Sequence, residues 1–334
     1  MNVSQLEWIV TLGVTTAVLL FDVAVIGRRP RKPSVRECAI ALTVYVGLAV
    51  AFGAWVWFSH GSEFGEQFFA GWLTEYSLSV DNLFIFILIM ASFKVPEKYQ
   101  QQALLVGIVL ALVFRGVFIA LGAVVINQFS WVFYIFGAFL IYAGFRLARD
   151  NVHDKDRADD RENRVVRFAR AHLNTTDRWA GLKLYVKEGS TRLMTPMFLV
   201  ILALGTTDVV FALDSIPAIY GLTSEPYLVF TANVFALMGL RQLYFLLGDL
   251  LNRLVYLARG LAVILCFIGV QLLLHALHTN EVPFINGGEY VGVPEIPTLV
   301  SLLVIVVTLT VTTVASLAKT RAGHRRPSPQ ASAS

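Results

Sequence analysis

Long apolar runs alternate with short polar or charged joints along most of this sequence. A helix that crosses a bilayer needs about 20 mostly apolar residues. About nine runs meet that need: 4–26, 36–58, 66–92, 100–125, 131–148, 195–221, 226–247, 256–278 and 296–318. The pattern predicts an all-α fold, a polytopic transmembrane helical bundle. The joints divide it into a two-span segment (1–65), a three-helix unit (66–148), a long polar loop (149–194), a second three-helix unit (195–278), an outer loop with a final span (279–318) and a tail (319–334).

Composition agrees. The chain of 334 residues is 56% hydrophobic and 15% charged, with a mean hydropathy of +0.66, more apolar than a soluble protein of this length. The net charge of +4 comes from bases in the joints and gives no nucleic-acid signal. Those bases do orient the chain. Arg28-Arg29-Pro30-Arg31-Lys32 follows the first run and places that joint in the cytoplasm, with the N-terminus outside. Lys94 and Lys98, the basic 149–194 loop and the tail with Lys319, Arg321, Arg325 and Arg326 then fall inside. The joints carrying Glu63, Glu225, Glu281, Glu289 and Glu295 fall outside. The first run has no basic region before it and no clear cleavage site, so a retained span is expected rather than a signal peptide.

The candidate chemistry lies where the apolar pattern is broken. Glu75-Tyr76-Ser77-Leu78-Ser79-Val80-Asp81-Asn82 interrupts the third run, and Asp208-Val209-Val210-Phe211-Ala212-Leu213-Asp214-Ser215 interrupts the sixth. In each, a carboxylate is followed six positions later by an Asp and then by a small polar residue. Ionisable groups at bilayer depth are costly and mark functional sites by default. The likeness extends further. Val109 to Arg115 resembles Val234 to Arg241 with one extra residue in the second, and Phe139 to Gly144 resembles Ile264 to Gly269. Because three spans separate the starts of the copies, the copies run in opposite directions. The prediction is an inverted three-helix repeat, as in transporters that bind cargo near the midplane between repeats.

On a continuous helix Glu75, Ser79 and Asn82 share a face, and so do Asp208 and Ser215. Asp81 and Asp214 fall about 120° away at roughly 100° per residue. Aiming both acids of a segment at one ion therefore predicts local unwinding, for which Pro217 supplies a cause by freeing the carbonyl of Leu213. Four acids, Glu75, Asp81, Asp208 and Asp214, against Arg115 and Arg241 leave two negative charges, which a divalent cation would neutralise. The bland alternative is that both arginines form structural ion pairs. Asp22, near the inner end of the first span, either pairs with Arg28 or Arg29 or belongs to an ion path.

The donors are carboxylate, amide and hydroxyl oxygens, with no His or Cys in either acidic segment. That favours Mg²⁺, Ca²⁺ or Mn²⁺ over zinc or copper. His275 and His278 are expected at the membrane interface rather than as ligands. Cys38 and Cys266 lack C-x-x-C spacing and read as structural thiols. The acidic start of the 149–194 loop has Asp159 and Val165 where an EF-hand requires Gly and Glu, so it is not one. Arg164 to His172 is expected either as a short basic amphipathic helix or as solvated linker, and Arg326 to Ser334 as disordered.

The E-Y-S-L-S-V-D-N stretch at 75–82, T-D-V-V-F-A-L-D-S-I-P-A at 207–218 and T-A-N-V-F-A-L-M-G-L-R-Q-L-Y-F-L-L at 231–247 resemble the signatures of the TerC family of integral membrane proteins. The plan resembles the nine-span branch that includes the Alx-type proteins. This resemblance implies Mn²⁺ export across the bacterial inner membrane, with links to tellurite resistance. It implies a metal site of Glu75, Asp81, Asn82, Asp208, Asp214 and Ser215; the residues of the spans themselves add Ser79, Arg115, Arg241, Asn233 and Asp22 as expected supports. The expected protein is a transporter and not an enzyme. Its Mn²⁺ is cargo, and no cofactor is bound permanently. Its surroundings are the lipid bilayer and, as an option left open, further copies of itself. The rival expectation is a non-transporting membrane scaffold in tellurite resistance or membrane-protein insertion.

Overall fold

The computed structural model describes residues 1, 3–28, 33–129, 131–149, 176, 178–188, 191–247, 256–278, 286, 289 and 291–324; the side chains of Asp22 and Asp81 lie outside that description. The expected basic helix at 164–172, the acidic start of the long loop and the tail at 326–334 likewise lie outside the described residues.

The predicted runs fold as helices. They are α1 (Gln5–Arg28), α2 (Val35–His60), α3 (Ser62–Ser92), α4 (Glu97–Gln128), α5 (Val132–Arg149), α6 (Pro196–Tyr220), α7 (Pro226–Met238), α8 (Leu240–Leu247), α9 (Leu257–His278) and α10 (Thr298–His324). Among the described residues eight helical segments, with α7 and α8 taken as one, are long and apolar enough to cross a membrane, and α1 adds a shorter apolar stretch over Gln5–Phe21. Local chemistry sets the ends. Ser34 and Glu37 close a capping box at the start of α2. Thr195 caps α6, whose first residue is Pro196. Gly61, at φ +109°, makes the abrupt turn from α2 into α3.

Apolar side chains stay exposed on the outer helices, as on α10, where Val300, Leu303, Val307, Val311 and Val314 form a bare stripe. Lipid rather than water is the solvent for such a surface. The centre is built from α3 and the α7–α8 segment. The most extensive helix pair is α5 with α9, followed by α3 with α7 and α4 with α6. Thus the first helix of each three-helix unit packs on the second of the other, and the third helices pack on each other. That is the pairing a two-fold relation between the units requires. The contacts at small residues follow it. A Cβ on Gly71 would meet Ala232 and one on Gly107 would meet Leu204, while one on Gly137 or on Gly269 would lie 2.8 Å from the other's carbonyl oxygen.

Three features differ from the sequence expectation. The helix α6 runs unbroken through Pro217, and the Gly221 N–H donates to the Pro217 carbonyl at 2.9 Å. The proline lies in the last turn, so its missing donor costs one bond and no unwinding results. The seventh run is divided at Gly239, between α7 and α8, within the stretch that carries the extra residue of the second copy. Finally, part of the long loop forms an antiparallel hairpin of β1 (Tyr185–Glu188) and β2 (Thr191–Met194), with Val186 opposite Leu193 and Lys187 opposite Arg192.

Candidate cation site

Arg115 is the largest fully buried side chain among the described residues, at 1% exposure. It projects from α4, and its partners come from three other helices. Nη1 donates to Glu75 Oε1 on α3. Nη2 donates to Asp208 Oδ1 on α6 at 3.1 Å and Nε to Asp208 Oδ2 at 3.4 Å, a fork on one carboxylate. Nη1 also reaches Asn233 Oδ1 on α7 at 3.0 Å and Ser215 Oγ on α6 at 3.3 Å. The Asn233 amide is itself oriented, since Nδ2 donates to the Val229 carbonyl at 3.1 Å.

Helical continuity explains which acids meet. Glu75 and Ser79 are one turn apart, and the Ser79 hydroxyl donates to Glu75 Oε1 at 3.4 Å. Asp208 and Ser215 are two turns apart on α6, and both contact the same guanidinium. Asp214, six positions beyond Asp208, is only half-buried and is not among the partners of Arg115. Asn82 is buried on α3, one turn beyond Ser79, and is not among those partners either.

Arg241 is placed differently from Arg115. It is buried, but it lines a separate cavity with Glu37 and Cys38 of α2. Arg241 is not among the hydrogen-bond partners of Glu75 or Asp208, and the side chain of Asp81 lies outside the described residues.

The bonded cluster holds two carboxylates, Glu75 and Asp208, and one guanidinium, a formal charge of −1. Within it, Glu75 Oε2 is buried and has no hydrogen-bond partner among the described residues. A buried carboxylate oxygen without a donor is costly and open to a cation. Among the described residues no three His, Cys, Asp or Glu side chains converge closely enough to hold a metal ion. The guanidinium of Arg115 takes the space between the two acids that meet.

Sequence reasoning missed a polar cavity of about 220 Å³ at the end of α3 away from Asn82. Its walls include Glu63, Gln67, Tyr220, Thr223, His275 and Glu295. The Thr223 hydroxyl donates to Gln67 Oε1 at 2.6 Å, and His275 Nδ1 lies 3.3 Å from Glu295. The signal was present as a four-residue rhythm on α3: Glu63, Gln67, Gly71, Glu75 and Ser79 form one row. Gly71, packed under Ile219 and Ala232, separates the cavity from Glu75.

A buried Arg bridging acids on facing helices is compatible with many membrane proteins, and comparison with known sequences narrows the choice. The profile of the integral membrane protein TerC family matches residues 60–324, which includes both acidic segments and Arg115. The chain belongs to the TerC family. An uncharacterized membrane protein of Mycobacterium tuberculosis (strain ATCC 25618 / H37Rv) is 45% identical over 317 residues, covering 95% of this chain and 80% of the relative. An uncharacterized membrane protein of Myxococcus xanthus is 35% identical over 315 residues, 94% of this chain and 92% of the relative. A third relative, from Photorhabdus laumondii, is named Alx, provisionally a membrane-bound redox modulator; it is 35% identical over 280 residues, 81% of this chain and 87% of the relative. No solved structure matches the chain.

Proposed function

We propose that this TerC protein is a secondary transporter that moves a hard divalent cation, Mn²⁺, outward across the bacterial inner membrane. One observation carries the reading: Glu75 and Asp208, from the two three-helix units, are buried and joined through Arg115. Structural packing does not require so costly a set of groups, because an apolar substitute of similar volume is often as stable. The choice of Mn²⁺ and the outward direction rest on the family resemblance and on the all-oxygen donor set.

In this reading Arg115 is a tethered stand-in for the cargo. A dication arriving between Glu75 and Asp208 competes for the same oxygens, with twice the charge of the guanidinium. Glu75 Oε2 offers the first contact, because no protein donor has to be displaced from it. Asp81 and Asp214, on the same two helices, supply further negative charge. Protonation of a carboxylate weakens its hold on the metal and releases it, and loss of that proton afterwards returns the carboxylate to Arg115, which couples export to protons. The polar cavity at Glu63 and Gln67 begins about 12 Å along α3 from Glu75, at 1.5 Å per residue, and forms the outer end of the route.

The name of the Photorhabdus relative favours a second reading, in redox chemistry. It would use Cys38 or Cys266, which are both free. Cys38 lines the α2 cavity and Cys266 packs against Gly144 of α5. Replacing both with serine separates the readings. Cells without the protein should accumulate manganese under load, and the doubly substituted protein should restore normal levels. Cell manganese that is the same with and without the protein would end the export reading.

A further inference from the structure

We infer that the hairpin of β1 and β2, with the stretch leading into it, is a docking surface for the anionic lipid headgroups of the inner leaflet. Its backbone is tied to the start of a span. The Thr195 N–H donates to the Leu184 carbonyl at 3.0 Å, and the Thr195 hydroxyl donates to the Lys183 carbonyl at 2.6 Å. Thr195 is the cap of α6. Trp179 stacks on Tyr99 in the first turn of α4, with ring centroids 6.1 Å apart. The segment therefore lies at the ends of two spans, where the bilayer meets water. The bases of the joints mark that side as cytoplasmic.

The surface joins bases to exposed apolar groups. A cavity of about 770 Å³ is lined by Arg178, Trp179, Lys183, Leu184, Tyr185 and Lys187, and none of its described lining residues is acidic. Across the strands Lys187 stands directly opposite Arg192. Like charges in that position repel each other, and an anion above the pair relieves the repulsion. Beside them Leu182, Leu184 and Tyr185 are 46%, 40% and 55% exposed, with the Arg192 guanidinium 5.5 Å from the centre of the Tyr185 ring. Facing plain water, these apolar groups would gain nothing from burial.

A layer of lipid headgroups meets both demands. Its phosphates neutralise Lys183, Lys187 and Arg192, and the acyl boundary just beneath accepts leucine and tyrosine, while the lysine stems lie along it. A soluble anion would meet only the first demand. The contact would hold the joint between the two three-helix units against the membrane at the starts of α4 and α6, the helices that carry Arg115 and Asp208.

The test uses the full chain with Cys38→Ala and Cys266→Ala, and a nitroxide label on the single cysteine of Leu184→Cys. The protein is reconstituted into phosphatidylcholine vesicles with or without phosphatidylglycerol. Electron paramagnetic resonance reads how often the label collides with oxygen and with a water-soluble nickel complex present on both sides of the bilayer. With phosphatidylglycerol the label should be several-fold better shielded from nickel and more open to oxygen. Adding Lys183→Gln, Lys187→Gln and Arg192→Gln together should abolish that difference, since each base near an anionic surface is worth roughly fivefold in attraction. Raised salt should weaken the shielding in the same way, and it decides the matter should the triple variant fail to fold. Equal nickel collision in the two kinds of vesicle, shielding that salt leaves unchanged, or shielding that survives in a folded triple variant overturns the proposal. Shielding in phosphatidylcholine vesicles on addition of glycerol 3-phosphate or of polyglutamate would assign the surface to a soluble phosphate ester or an acidic protein, and would overturn the lipid assignment.

Discussion

Glu75 and Asp208 lie on different helices of different three-helix units, and the same guanidinium, that of Arg115, bonds to both. This shared cation is what allows two buried carboxylates to face each other in the apolar interior. It also makes the pair breakable, because anything that replaces Arg115 must bring its own positive charge.

The first consequence concerns stability. Removing only the base, as in Arg115→Met, strands two buried acids and should destabilise the fold by about 3–5 kcal/mol. Replacing all three groups at once, with Glu75→Gln, Arg115→Met and Asp208→Asn, should recover most of that loss. Thermal unfolding of the purified proteins in detergent checks the order. A triple variant less stable than Arg115→Met would contradict it.

A second prediction concerns the α5–α9 crossing. Gly137 and Gly269 approach so closely that a side chain on either meets the partner's backbone at 2.8 Å. Gly269→Leu should therefore lower stability by about 1–3 kcal/mol, the usual cost of overpacking. Gly116→Ala is the control, since nothing lies within 4 Å of a Cβ there. Equal unfolding temperatures for the two variants would show that the crossing is looser than described.

Orientation can be checked directly. Glu63 and Lys98 are both exposed, Glu63 at the start of α3 and Lys98 at the start of α4. In a background of Cys38→Ala and Cys266→Ala, single cysteines at these two positions should react with an impermeant maleimide from opposite sides of the membrane. Position 63 should be the one reached from outside intact cells; labelling of position 98 instead would invert the topology.

Much of this was legible in the sequence because a bilayer imposes a simple demand. Each apolar run had to be a helix, so the spans could be read from length alone, and the acids at 75 and 208 stood out against them. That Asp214 does not share the Arg115 bonds of Asp208 was legible too, since an unbroken helix turns it from the face of Asp208. What misled was the expectation that Pro217 would relieve this by unwinding α6. A proline in the last turn breaks too little to do so. Arg241 lines a cavity with Glu37 and Cys38 of α2, beyond the division of the span at Gly239, which residue type alone does not signal. The hairpin at 185–194 was missed although Gly189-Ser190 between two β-prone stretches is a turn signal, because the loop was judged by its charge.

The central claim is that Glu75 and Asp208 together carry a divalent cation through the membrane. Its most direct test is Mn²⁺ flux in proteoliposomes under an imposed pH gradient, comparing wild-type protein with Glu75→Gln and Asp208→Asn. The account predicts flux by the wild type and at least a roughly tenfold loss in each variant, as expected when a charged ligand is removed, with insertion into the liposomes unchanged. Wild-type rates in either variant would contradict it.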